Sequence, residues 1–361
     1  MTKITDLNFS PDFKRAVQHF RTLEGYSSTA LETLKTPSGL EILAKNETNR
    51  MGLGAFKALG GPYAIARLLL SEWSGQSDTR LAPEHFADQD FLSFAAKRTF
   101  VTASAGNHGL GVAAGARTFG AKARIYLAQT VPESFSARLE AQGAEVVRKG
   151  ASYDDSVTEA IRDAEQTGAT LLADGTWPGY TDIPKYVMEG YTVIAEELRE
   201  AFETSGHWPT HVFLQAGVGG LAAAIAFMIR ENWAVQPDII VVEPEAATCL
   251  QASHTAGKPV RSDGPDSNMG RLDCKEPSIV AWHTLESCDV LYESLSEEEG
   301  SAAAEALRAL GLPTTPSGAA GYGALMKHDR NRSSNAAFRP LIIVTECPDT
   351  QDKGQDNGSC T

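Results

Sequence analysis

Lys57 lies in Asn49-Arg-Met-Gly-Leu-Gly-Ala-Phe-Lys-Ala-Leu-Gly-Gly, with Gly52, Gly54, Gly60 and Gly61 around it and an apolar helix opening at its position. Glycine admits unusual backbone torsions and lets a flat ligand lie against the chain. A lysine kept out of bulk water there can have its amine pKa lowered enough to attack a carbonyl. Taken alone, the segment reads more simply as a solvated lysine at a helix start. A second segment is Thr102-Ala-Ser-Ala-Gly-Asn-His-Gly-Leu-Gly, where a strand-like approach enters a small-residue turn and a helix is predicted from near Gly109. Unpaired amides at a helix start bind anions, carboxylates especially. Ser104, Ala105, Gly106 and His108 are therefore candidate substrate contacts. Asn107 carries an amide that can donate to a phenolate oxygen, or it only caps the turn.

The third segment, Gln215-Ala-Gly-Val-Gly-Gly-Leu, follows a strand and leads into a helix. Successive amides of Gly217, Val218, Gly219, Gly220 and Leu221 make a nest for a phosphate, reinforced by the helix dipole. The loop lacks the Gly-Lys-Ser/Thr ending of a nucleotide P-loop. The Gly109-x-Gly111 pair is a poor dinucleotide fingerprint, because no acidic residue follows at the required spacing. A reactive lysine, an asparagine turn and a phosphate nest have one economical joint explanation: pyridoxal 5'-phosphate held as a Schiff base.

These segments need a scaffold. Short apolar runs at Arg124–Ala128, Glu145–Arg148, Thr170–Asp174, His211–Gln215, Asp238–Glu243 and Leu341–Thr345 suit strands buried on both faces of a parallel sheet. Helical patterns lie between them: Ala64–Trp73, Lys185–Glu203, Gly219–Asn232, and a capping box at Ser296 with Glu299. Strand–helix alternation predicts an α/β protein with helices on both sheet faces. The polar stretch Ser74–Asp90 reads as a surface connection, and Pro348–Thr361 as a frayed tail.

Bulk properties set the limits. A chain of 361 residues exceeds the size at which one core stops growing, so two domains are expected. A net charge of -14 argues against nucleic-acid or anionic-membrane partners. No apolar run approaches the roughly 20 residues of a membrane helix, and the N-terminus lacks a secretory core. The five cysteines are scattered without a Cys-x-x-Cys pair, which suggests neither a disulfide scaffold nor a metal site and points to the cytoplasm.

The Ser104–His108 block and the Gly-Val-Gly-Gly loop resemble those of the fold-type II pyridoxal-phosphate enzymes that include threonine and serine dehydratases. Within that group the chain resembles the diaminopropionate ammonia-lyase family. The shared stretches are Arg50 to Gly61, Asp174-Gly-Thr-Trp-Pro-Gly-Tyr-Thr-Asp-Ile-Pro, Met188-Glu-Gly-Tyr, Cys274-Lys-Glu-Pro-Ser and Ser317-Gly-Ala-Ala-Gly. The resemblance implies a two-domain, three-layer α/β fold with mostly parallel sheets and the cofactor between the domains. The large domain would take residues 1–66 and 190–361, the small one 67–189.

It also implies roles. Lys57 would be the Schiff-base lysine, Asn107 would hold the phenolate oxygen, and residues 217–221 would cradle the phosphate. Thr345 matches the hydroxyl residue facing the pyridine nitrogen. Asp174 matches an acid near the substrate amines, although an Asp-Gly turn is the plain alternative. His108 reads as packing ahead of catalysis. Glu243 either lines the cofactor or ends a strand, and Cys249 and Cys274 align with cysteines that could pair. A small amino acid is the implied substrate and a homodimer the implied assembly. Where the family carries an aspartate before Gly-Asn-His, this chain has Ala105, which cannot exchange a proton. β-Elimination from an L-amino acid is expected, with a hydroxy-amino-acid dehydratase as the alternative; a β-replacement synthase or a non-catalytic binding protein ranks lower.

Overall fold

The computed structural model describes residues 6–75, 83–331 and 338–348. The chain opens with α1 (Phe13–Thr22), β1 (Leu31–Lys35), β2 (Glu41–Asn46), a 3-10 turn at Arg50–Gly52 and α2 (Lys57–Ser74). Next come α3 (Pro83–Ala87), α4 (Gln89–Ala95), β3 (Thr99–Ala103), α5 (Asn107–Thr118), β4 (Lys122–Leu127), α6 (Glu133–Glu140), β5 (Glu145–Arg148), α7 (Tyr153–Thr167) and β6 (Thr170–Leu171). Then follow α8 (Asp182–Ser205), β7 (His211–Gln215), α9 (Gly220–Asn232), β8 (Asp238–Pro244), α10 (Cys249–Ala256) and α11 (Ile279–Glu286). The last elements are β9 (Leu291–Leu295), α12 (Glu297–Ala309), α13 (Pro316–Asn331) and β10 (Pro340–Val344).

Two sheets result, in the orders β1-β2-β10-β7-β8-β9 and β5-β4-β3-β6. All pairings are parallel except β1 with β2. The central strands are the apolar runs read from sequence: Val212–Leu214, Ile239–Val242 and Leu341–Val344 are buried throughout. Such runs need cover on both faces, which the helices supply. The α/β class is as expected.

Three strands escaped the sequence reading. β1, β2 and β9 carry Leu-Glu-Thr-Leu-Lys, Glu-Ile-Leu-Ala-Lys-Asn and Leu-Tyr-Glu-Ser-Leu, with no long apolar run, because β1 and β9 lie at sheet edges and are partly exposed. The Thr170–Asp174 run yields a two-residue strand and then turns away. The Ser74–Asp90 connection is corrected: α3 lies inside it and α4 starts at Gln89, its first amides taken by the Asp88 side chain. Residues 76–82 of that stretch, and 349–361 of the tail, are outside the described residues.

The glycines near Lys57 divide by role. A Cβ at Gly60 would sit 2.6 Å from the Tyr191 ring, and one at Gly190 would meet the Leu59 carbonyl oxygen at 2.6 Å. Gly60 thus serves close helix packing of α2 on α8, not ligand approach. A Cβ at Gly111 would likewise meet the Lys57 carbonyl oxygen at 2.6 Å, so α5 holds the start of α2 from the other side.

Candidate active site

Lys57 is the first residue of α2, and the segment before it is pinned to the last strand. The Phe56 amide donates to the Thr345 carbonyl at 3.1 Å, and the Cys347 amide donates to the Gly54 carbonyl at 2.9 Å. Gly54 is required here: its φ is +80°, and a Cβ would sit 2.8 Å from Cys347 Sγ. Met51, next to the buried Arg50, also adopts a left-handed torsion (φ 50°).

Lys57 Nζ donates to Asp174 Oδ2 and lies 5.6 Å from the centroid of the Tyr191 ring. Burial disfavours the ammonium, but Asp174 and Tyr191 more than reverse this, so the Lys57 pKa is raised. The expected lowering is therefore corrected. Sequence suggested burial without showing the carboxylate that accompanies it. Burial likewise opposes ionisation of Asp174, and the Lys57 ammonium still holds its pKa below the usual range.

α5 begins at Asn107, slightly before the predicted start, with Gly106 as its N-cap. Ser104 Oγ accepts from the Gly106 amide at 3.2 Å, closing the turn, while Ala105 packs against the main core. His108 is buried; its Nε2 meets the Leu172 carbonyl at 2.9 Å and its Nδ1 lies 3.9 Å from Asp174 Oδ2. Burial lowers its pKa, so the ring is neutral beneath the carboxylate. Asn107 Nδ2 donates to Glu346 Oε2, and Gln215 Nε2 donates to Thr345 Oγ1 at 3.3 Å.

The loop after β7 turns at Gly219, whose φ of +99° excludes other residues, and α9 starts at Gly220. A Cβ at Gly217 would stand 3.0 Å from Cys274 Sγ and 3.2 Å from the Arg271 carbonyl oxygen. The turn has room for backbone alone, as a phosphate cradle needs. A Cβ at Gly220 would lie 3.9 Å from the Asp174 carbonyl oxygen, which brings the loop beside the Lys57–Asp174 pair. The residues present fit pyridoxal phosphate.

Residues 22–346 match the family of pyridoxal-phosphate-dependent enzymes. The chain belongs to that family. Diaminopropionate ammonia-lyase of Escherichia coli strain K12 is 36% identical over 326 residues, which cover 86% of this chain and 80% of the relative. The E. coli lyase solved with an aminoacrylate–pyridoxal-phosphate azomethine reaction intermediate superposes with a TM-score of 0.78 at 30% identity, covering 96% of this chain and 92% of that one. Its complex with D-serine gives a TM-score of 0.77 at 29% identity, with the same coverage. This pyridoxal-phosphate enzyme thus falls with the ammonia-lyases, and its cofactor is pyridoxal phosphate.

Sequence reasoning assigned no role to four neighbours of the candidate residues. Tyr191 faces Lys57, Glu346 accepts from Asn107, Gln215 donates to Thr345, and Arg271 reaches Glu346. Glu346 had one local signal, its place directly after Thr345. Glu243 is a cap: its two oxygens accept from the Leu250 and Gln251 amides, both at 2.8 Å, at the start of α10. Burial pushes its pKa up to about 7. Cys249 and Cys274 are free thiols, and both approach the glycine loop at Gly217.

Proposed function

We infer that the protein is a lyase that eliminates ammonia from the β carbon of L-2,3-diaminopropionate. One diaminopropionate and one water give one pyruvate and two ammonia. The observation that carries this reading is the Lys57–Asp174 pair set between the asparagine turn and the glycine loop. Likeness to the diaminopropionate lyases over most of the chain supports the same substrate.

Bound pyridoxal phosphate supplies the electron sink for charge at the substrate's α carbon. Lys57 carries the cofactor through Nζ and then takes the α proton on its own side. Residues 217–221 hold the phosphate through backbone amides, and Asn107 holds the phenolate oxygen. Thr345 serves the ring nitrogen; Gln215 donates to its hydroxyl oxygen, leaving that hydroxyl's own proton to donate. The turn of Ser104, Ala105, Gly106 and His108 takes the substrate carboxylate. Asp174 stabilises the Lys57 ammonium and can receive the departing ammonium. A homodimer, a cytoplasmic location and the division into 1–66 with 190–361 and 67–189 belong to the same proposal, resting on family likeness and the low-cysteine composition.

Ala105 gives the reading its sharpest test. Its methyl group cannot exchange a proton on the side opposite Lys57. Pyruvate release is expected from L-2,3-diaminopropionate, with the D-isomer at least roughly a hundredfold slower, the lower range of acid–base catalysis. Comparable turnover of both isomers rejects the one-sided mechanism.

A further inference from the structure

Asn107 and Glu346 stand 239 positions apart in sequence, yet Asn107 Nδ2 donates to Glu346 Oε2. Glu346 is buried, and its second oxygen accepts from Thr315 Oγ1 at 2.5 Å. Arg271 Nε lies 3.8 Å from the oxygen that Asn107 uses. The Glu346 backbone bridges Ala55, two residues before Lys57, and its carbonyl accepts from Thr314 Oγ1 at 2.5 Å. Glu346 therefore joins the segment carrying Lys57 to the first residue of α5.

We propose that Glu346 is the positioning residue that sets the Asn107 amide for the cofactor, a role that rests on the reading of the site above. A carboxamide has two ends of nearly equal size, one donating and one accepting. A carboxylate can only accept, so Glu346 selects the NH2 end and engages one of its two hydrogens. The second hydrogen stays available for the phenolate oxygen. The flipped amide would set its carbonyl oxygen against the Glu346 carboxylate. Hydrogen bonds to an ionised acceptor are about twice as strong as neutral ones, which makes the choice firm. Arg271 offsets the carboxylate charge, so that it does not oppose the phenolate.

The test is a double-mutant cycle on the holoenzyme, reading the cofactor dissociation constant by visible absorbance. Glu346→Ala is expected to weaken cofactor retention about tenfold. Glu346→Gln should weaken it about threefold, because the glutamine oxygen still accepts from Asn107. In an Asn107→Ala background neither substitution should change retention further. Equal weakening in both backgrounds overturns the proposal, since Glu346 would then act on structure alone; so does unchanged retention in Glu346→Ala. Should Glu346→Ala not fold, the near-isosteric Glu346→Gln in the two backgrounds decides the matter. Wild-type protein that takes up no cofactor overturns the functional reading itself, a separate result.

Discussion

Two ion-paired groups flank the same segment, and they are built to opposite ends. Before it, Arg50 donates to Glu47 through Nε and Nη2 and to Glu197 through Nη1 and Nη2, all at 2.7–2.8 Å. Lys45 Nζ adds a bond to Glu197 at 2.5 Å, and Tyr26 and Thr29 donate to Glu197 Oε1 and Glu47 Oε1, each at 2.6 Å. These two cations and two anions have side-chain exposures of 0–3%. After it, Lys57 and Asp174 form one pair at 20% and 24% exposure, facing aromatic rings and a neutral histidine. Each charged group of the closed cluster has at least two hydrogen-bond partners, and the cluster fixes the chain. The cleft pair keeps a lysine charged and held, yet free to exchange its partner. Burial alone does not make a lysine reactive; the number of its partners and its access to a ligand decide.

Removing the cleft lysine should have the largest effect. Lys57→Ala is expected to cut pyruvate release by about ten-thousand-fold, while its urea unfolding stays close to wild type. A loss of stability matching that of an Arg50 variant would erase the contrast between the two regions. The next largest effect is on the closed cluster. Arg50→Ala takes the paired cation from buried Glu47 and leaves Glu197 with Lys45 alone, and should cost about 4 kcal/mol of unfolding free energy. A loss below about 1 kcal/mol, the range of surface pairs, would show that the cluster is structurally idle.

The smallest effect concerns a buried group that is neutral instead of paired. His19 lies among Phe20, Tyr63, Phe86 and Phe119, and among the described residues neither ring nitrogen has a partner. Burial lowers its pKa from 6.5 to about 4. Between those values the unfolded chain binds the proton and the folded one does not, so stability falls as pH falls. By pH 4 this one group should remove about 3 kcal/mol. Denaturant unfolding at pH 7 and pH 4.5 checks it, and His19→Leu should flatten that part of the dependence. An unchanged slope in His19→Leu would assign the acid sensitivity to the ionic groups instead.

The recognisable motifs held their places to differing degrees. The capping box at Ser296 forms as read, because Ser296 and Glu299 satisfy each other's amides within one turn. The glycine loop and the asparagine turn were legible for the same local reason. The purpose of Gly60 was not legible, since its neighbour Tyr191 lies on another helix. Edge strands β1 and β9 were hidden because partial exposure removes the apolar run that marks a buried strand.

The sequence by itself determined the chemistry on offer: a lysine opening a helix, an amide at a turn, a nest of glycine amides, and a methyl group where a second acid could stand. These depend on neighbours within a few residues, whose torsions and side-chain types are enough. Tertiary structure decided the charge on Lys57, through a carboxylate 117 positions away, and the facing of Asn107, through one 239 positions away. Electrostatic and hydrogen-bond energies depend on distance in space, and only the folded chain makes those distances short.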